Sequence, residues 1–273
     1  MQFARFNDVT LHYQLVGSPK SRPLIVFVNS LGTDFRMWRD VVVRLGGEFA
    51  VLLYDKRGHG LSETGGTPYS MPMLAGDLAA LLDHISAREA IVCGVSVGGL
   101  IAQQLYALRP DLVQALILCD TLGKIGDDAM WNARVAAIEE GGLDSVADSI
   151  LMRWFTPEFR SGGSPEYRGY RTMLARQPVD GYIATCVALR ETDLRPLAGR
   201  IAAPTLCIVG DQDASVPPRA VADFANTIPR ARFEIIKACG HLPSIEQPEA
   251  LSAIIRSFIS LIIGTETVSH VSH

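Results

Sequence analysis

The residues IVCGVSVGGLIAQQLYAL, 91–108, decide the fold. Ile91-Val92-Cys93 is an apolar run of strand type, and Leu100, Ile101, Leu105 and Leu108 recur at helical spacing. Between them Gly94-Val95-Ser96-Val97-Gly98 spells G-x-S-x-G, a turn abrupt enough to hold its serine in a strained backbone conformation with the hydroxyl outward. Gly99 lets the helix pack closely. A serine hydroxyl is a weak nucleophile until a neighbouring base takes its proton, so the turn predicts a histidine and an acid elsewhere in the chain. Gly and Ser are common loop residues, so the motif draws its weight from the strand before it and the helix after it.

A chain of 273 residues, 48% of them hydrophobic, suits one domain with an insertion or two small domains. No apolar stretch approaches the roughly 18 residues of a membrane span, and the amino terminus lacks a basic region followed by an apolar one. The expectation is a soluble, cytoplasmic protein. The five cysteines, Cys93, Cys119, Cys186, Cys207 and Cys239, stand singly and read as reduced core residues. A net charge of −4 and a pI near 5.9, with no basic run, exclude a nucleic-acid footprint. An anionic ligand must then be met by individual arginines.

Residues 10–15 alternate as an edge strand does, and 24–28 form a continuous apolar run that suits a strand covered on both faces. The small-residue loop Asn29-Ser30-Leu31-Gly32-Thr33-Asp34 follows. It is the place for an oxyanion donor: one backbone N–H comes from the residue after the nucleophile, Val97, and the second from this loop, at Leu31. The bland alternative is that the loop only caps the next helix through Asp34. Strand 50–54 leads into Asp55-Lys56-Arg57-Gly58-His59-Gly60-Leu61-Ser62, where His59 reads as a structural hydrogen-bonding group. Strands alternating with helices argue for a doubly wound, mostly parallel α/β sheet with its site at the strands' carboxyl ends.

From 121 to 197 strand-like runs disappear, and 127–140, 143–154, 165–176 and 179–190 read as helices. The expected organisation is a core of 1–120 and 198–273 with a helical cap, 121–197, inserted in it. Strand character returns at 204–209 and 232–236, and a last helix is expected over 248–263, with a frayed tail from Gly264.

Asp213 lies just past the strand ending at Val209, and His241 just past the one ending at Ile236. Ser96, Asp213 and His241 therefore run in the order nucleophile, acid, base, each beyond a strand's carboxyl end. Asp213 could instead be a turn-capping residue, and His241 a satisfied loop histidine. Asp211 and Asp120, the latter directly after its own strand, remain alternative acids.

The elbow, the 29–33 loop, Arg57-Gly58-His59-Gly60-Leu61-Ser62 and the Ser-Asp-His order resemble the α/β-hydrolase fold along nearly the whole chain. Within the insertion, Met130-Trp131-Asn132-Ala133-Arg134, Arg153-Trp154-Phe155-Thr156-Pro157 and the segment from Gly181-Tyr182 to Leu189-Arg190 are similar to the cap segments of 3-oxoadipate enol-lactonases. So is Asn29-Ser30, where many relatives carry His-Gly. The resemblance implies a small-molecule enol-lactone substrate with a carboxylate arm, opened by Ser96 without a metal or organic cofactor, in the β-ketoadipate pathway of aromatic degradation. With nine Lys and Arg against eleven Asp and Glu in 121–197, a diffuse positive surface is excluded and a specific arginine is implied. The expectation is Arg134, with Trp131 and Trp154 as apolar walls; the alternative is a solvated arginine. Rival readings are a carboxylesterase or a carbon–carbon bond hydrolase on the same scaffold, and a small-molecule receptor that retains the triad without turnover. The sequence leaves the oligomeric state open.

Overall fold

The computed structural model describes residues 1–269, with side-chain surroundings for all of these except 162 and 265–269. Eight strands form one sheet: β1 (Gln2–Phe6), β2 (Val9–Val16), β3 (Leu24–Val28), β4 (Ala50–Tyr54), β5 (Ala90–Val95), β6 (Val113–Cys119), β7 (Thr205–Gly210) and β8 (Arg232–Ile236). Their spatial order is β1-β2-β4-β3-β5-β6-β7-β8. The β1-β2 and β2-β4 pairings are antiparallel, and every pairing from β4 to β8 is parallel. β3, β4, β5 and β7 are buried at every residue, as continuous apolar strands must be when both faces of a parallel sheet are covered. Of the helices α1 (Arg39–Leu45), α2 (Met71–His84) and α3 (Val97–Leu108), α2 packs on α3, and α1 packs on the last helix.

Between β6 and β7 the chain makes only helices: α4 (Asp128–Trp154), α5 (Pro157–Arg160), a 3-10 turn, α6 (Pro165–Ala175), α7 (Val179–Glu191) and α8 (Arg195–Ala198). α4 is broken at Gly142, whose φ of 72° lies outside the helical region, and Arg153 of its second arm reaches the Met130 sulfur of the first. β6 and β7 still pair directly, so the sheet runs on unbroken beneath these helices. Beyond β7 come α9 (Pro218–Ala225), α10 (Pro243–Glu246) and α11 (Pro248–Ser269).

Two details differ from the sequence reading. The edge strand is β1, and 10–15 lies inside the sheet as part of β2. The chain reverses at Asn7-Asp8, with Phe6 opposite Val9 and Asn7 at φ 52°, a two-residue hairpin whose first strand is too exposed to show an apolar pattern. The last helix also continues past Ile263 to Ser269; 270–273 lie outside the described residues.

The strand order places the site. After β3 the chain moves to β4 on one side, then crosses to β5 on the other, so the segments leaving β3 and β5 diverge and open a crevice at the carboxyl ends. The segment after β3 carries Leu31, and the segment after β5 carries Ser96. The turn tolerates no bulk. A Cβ on Gly98 would stand 2.2 Å from the Val28 carbonyl oxygen, and one on Gly94 would stand 2.2 Å from the Gly98 carbonyl oxygen. Gly98→Ala is therefore expected to lower the unfolding free energy by at least about 2 kcal/mol, because backbone rather than a side-chain tip blocks the methyl group. An unchanged urea midpoint would show slack between α3 and β3.

Candidate active site

Ser96 caps α3 with φ 58° and ψ −121°, a conformation that costs a non-glycine residue on the order of 1–3 kcal/mol and persists only where the surroundings impose it. They do so here. Ser96 N–H donates to the Cys119 carbonyl at 3.0 Å, and the Ser96 carbonyl accepts from Thr121 Oγ1 at 2.7 Å and from Gly99 N–H at 2.9 Å. Val97 is the first residue of α3; its side chain is buried, and its N–H is among those that open a helix without an intrahelical acceptor.

His241 and Asp213 meet from different loops. His241 Nδ1 lies 2.8 Å from Asp213 Oδ2, both side chains being almost wholly buried. Asp213 Oδ1 accepts the N–H groups of Ser215 at 2.7 Å and Val216 at 3.0 Å. The carboxylate therefore keeps a proton donor on each oxygen, and the imidazole is turned so that Nε2 has no hydrogen-bond partner among the described residues. Asp211 does something else: its Oδ1 accepts from Cys239 N–H at 3.2 Å, bracing the loop that carries His241. His59 matches its structural reading, Nε2 accepting from Gly32 N–H.

Asp120 sits in the same cluster, its carboxylate oxygen within 4.8 Å of ligand atoms on both Asp213 and His241. It is fully buried, and its Oδ1 accepts from Gly210 N–H at 2.9 Å, while Oδ2 has no hydrogen-bond partner among the described residues. Burial, then the neighbouring Asp213 carboxylate, push the Asp120 carboxyl well above its ordinary range. Two buried carboxyl groups this close do not both ionise. The negative charge belongs on Asp213, which has the donors, and the proton on Asp120. A metal ion drawn to these three residues would compete with the Asp213–His241 hydrogen bond.

Ser96, His241 and Leu31 line one cavity of about 160 Å³ together with Trp131, Arg134 and Trp154 of α4, so the insertion residues expected from the sequence are brought to the serine. The same cavity receives Arg153 and Tyr182, which sequence reasoning had not placed there. Arg134 Nη1 lies 3.4 Å from Tyr182 Oη, and its guanidinium stands 5.8 Å from the centre of the Trp131 ring. Arg153 is pulled below its ordinary basicity by burial and then by Arg134. The ion pairs of the helical insertion are made by Arg171, Arg190 and Arg195; among the described residues Arg134 and Arg153 make none. The position of Arg153 depends on the break of α4 at Gly142, which the spacing of residues along the chain does not express. A larger cavity of about 830 Å³ between α6 and the 34–39 turn contains neither Ser96 nor His241.

The insertion is bonded to the loops it covers. His241 N–H donates to the Trp154 carbonyl at 2.8 Å, and Ser215 Oγ donates to the Arg153 carbonyl at 3.3 Å. Glu246 accepts Gly240 N–H with one oxygen and Thr156 N–H with the other. The end of α4 thus helps hold the histidine and the acid.

Residues 25–254 match the alpha/beta hydrolase family. The chain belongs to that family and has its fold. It is 37% identical to 3-oxoadipate enol-lactonase 2 of Acinetobacter baylyi over 90% of this chain and 91% of that one. To 3-oxoadipate enol-lactonase 1 of the same organism it is 35% identical, covering 93% and 94%. The crystal structure of the enol-lactonase from Burkholderia xenovorans LB400 superposes with a TM-score of 0.91 at 34% identity, covering 95% of this chain and all of that one. The protein is a hydrolase of this family. No helix among the described residues is long and apolar enough to cross a membrane.

The two acids are expected to separate in mutants. Asp213→Asn should lower turnover of an activated ester on the order of 10⁴-fold by disturbing the histidine tautomer, whereas Asp120→Asn should leave most turnover. Asp120 binds its proton more tightly folded than unfolded. This contribution to stability is complete below the unfolded carboxyl value of about 4 and is lost as pH rises toward the folded one. Because Asn does not titrate, the Tm advantage of Asp120→Asn over wild type should widen from pH 4 to pH 8; a pH-independent difference in calorimetry would show that Asp120 is not held neutral.

Proposed function

We propose that this protein opens 3-oxoadipate enol-lactone to 3-oxoadipate, in the β-ketoadipate pathway of aromatic degradation, by a Ser96-His241-Asp213 mechanism. The observation that carries the proposal is the pair of guanidiniums, Arg134 and Arg153, that share a small cavity with Ser96 and His241 without ion-pair partners among the described residues. Two unneutralised cations call for an anionic ligand, and Arg suits a carboxylate through its bidentate fork. A cavity below the roughly 300 Å³ of drug-sized sites suits a small one. The names of the relatives supply the lactone.

In this reading Ser96 Oγ attacks the ring carbonyl carbon while His241 Nε2 takes the hydroxyl proton, and Asp213 stabilises the imidazolium. The carbonyl oxygen becomes an oxyanion bound by the N–H groups of Leu31 and Val97. Collapse re-forms the carbonyl and breaks the ring C–O bond. The leaving enolate stays tethered to the acyl group, so there is little demand for acid catalysis of its expulsion; it takes the proton from the His241 imidazolium, that proton ends on carbon as the enol becomes the ketone, and His241 is left neutral. Water, deprotonated by His241, then attacks the acyl carbon. The second collapse returns the proton to Ser96 and releases the carboxylic acid. Residues 121–197 act as a cap on a core of 1–120 and 198–273, with Trp131 and Trp154 as its apolar walls. Five buried, unpaired cysteines support a cytoplasmic setting.

Ser96→Ala should lower lactone turnover on the order of 10⁴- to 10⁶-fold; a receptor that retains the triad would show no turnover to lose. Arg134→Ala and Arg153→Ala should each lower kcat/KM for the lactone about 10- to 100-fold, the worth of a hydrogen bond to a charged group, and spare a neutral butenolide. Equal losses on both substrates would remove the carboxylate role and favour a general carboxylesterase.

A further inference from the structure

Lys56 is buried and makes no ion pair within reach among the described residues, an expensive place for an ammonium. Its Nζ donates to the Ser30 carbonyl at 2.7 Å. The same oxygen accepts Thr33 Oγ1 at 2.9 Å and Thr33 N–H at 3.4 Å, three donors on one acceptor. In the next peptide unit, Gly32 N–H donates to His59 Nε2 at 3.1 Å, while His59 Nδ1 faces the Arg57 carbonyl at 3.3 Å. That pairing makes Nε2 the acceptor and leaves the ring neutral. Both peptide units that flank Leu31 are therefore held from the loop after β4, one by its carbonyl and the other by its N–H.

A trans peptide is planar with its N–H opposed to its carbonyl. Since Lys56 holds the Ser30 carbonyl, the Leu31 N–H of the same unit is directed away from Lys56, and Leu31 belongs to the wall of the cavity that contains Ser96. An ammonium on the carbonyl also polarises the peptide, because hydrogen bonds in a chain strengthen one another. A neutral donor would tie the two loops together equally well. The charge is what a structural role leaves unexplained.

We propose that Lys56 is a positioning residue for the oxyanion site: its ammonium orients and polarises the Ser30–Leu31 peptide so that the Leu31 N–H binds the oxyanion more strongly than it binds the ground-state carbonyl. The proposal rests on the reading of Ser96 as nucleophile and Leu31 as donor, and it is independent of which ester or lactone is the substrate. The charged groups around Lys56 are Asp55 and Asp34. Asp55 is occupied by His12 Nδ1, Phe35 N–H and Leu61 N–H, and Asp34 by Arg36. Burial brings the ammonium down to about 7 against the pull of these two carboxylates. His59 stays neutral, pushed well below its ordinary value by burial and by Lys56 itself. Lys56 is charged below its folded value and neutral above it, so the assistance is present at lower pH and fades as pH rises through the neutral range.

The test uses the full chain as wild type, Lys56→Met and Lys56→Gln, each checked for folding by thermal melt. Hydrolysis of p-nitrophenyl acetate is followed across pH, together with the affinity of a trifluoromethyl ketone, which forms a tetrahedral oxyanion adduct on the serine. Lys56→Met should lower kcat about 10- to 100-fold, less than the loss of an oxyanion donor itself, with little change in KM. Ketone affinity should fall in parallel, and the alkaline fall of the wild-type kcat should disappear from the variant. Lys56→Gln, which lacks the charge but keeps a donor one bond shorter, should fall between and guards against misfolding of the first variant. A folded variant with wild-type kcat and ketone affinity overturns the proposal, as does a loss confined to KM. A wild type that hydrolyses the ester and spares the enol-lactone overturns the lactone reading and leaves the Lys56 comparison standing.

Discussion

The molecule depends on one close approach: the first turn of α3 lies against the end of β3, so near that Gly98 has the Val28 carbonyl oxygen where a side chain would begin. Only that approach lets Ser96 turn its hydroxyl into the crevice between β3 and β5. The strain at Ser96 is imposed from three directions, by Cys119 at the end of β6, by Thr121 beyond it, and by α3. Cys119 and α3 belong to elements that are buried for their own reasons, and Thr121 is fully buried in the loop after β6, so the core's hydrophobic burial holds a conformation that the serine would not adopt alone.

Around this turn the charges are segregated. The buried acids Asp120 and Asp213 lie behind His241, sharing one negative charge, while Arg134 and Arg153 stand on the α4 side of the cavity. In the proposed function, this asymmetry would draw a carboxylate arm toward α4 and leave the other end of the ligand near Ser96. The helices between β6 and β7 also bind the loops of the site. The end of α4 accepts the His241 N–H and the Ser215 hydroxyl, so the arm that carries Arg153 and Trp154 is bonded to the loops of the acid and the histidine. Movement of that arm would disturb the groups beneath it. The first arm, with Trp131 and Arg134, is separated from it by the break at Gly142.

Much of the fold was legible because it is written in short-range patterns. Continuous apolar runs announced β3, β4, β5 and β7, and the glycines of the elbow announced a turn that no other residue fits. β1 was not legible, since a terminal strand lying on a sheet's edge buries too little to show alternation. Of the residues that the structure brings together, Ser96, Asp213 and His241 stood out by their order after strands, and Trp131, Arg134 and Trp154 by their likeness to cap segments. Arg153 was hidden because its approach to Arg134 depends on how sharply Gly142 folds α4, which no spacing along the chain expresses.

The sequence by itself determined where the chain can turn, which runs must be buried, and which residue types follow each strand, because sterics and hydrophobic patterning act over a few neighbouring residues. Only the tertiary structure decided which aspartate faces His241, which one keeps its proton, and which arginines have no ion-pair partner among the described residues. Those properties depend on distances and on exclusion of water between segments far apart in the chain: Asp120 and Asp213 are separated by the whole helical insertion, yet their charges are settled by a few ångströms.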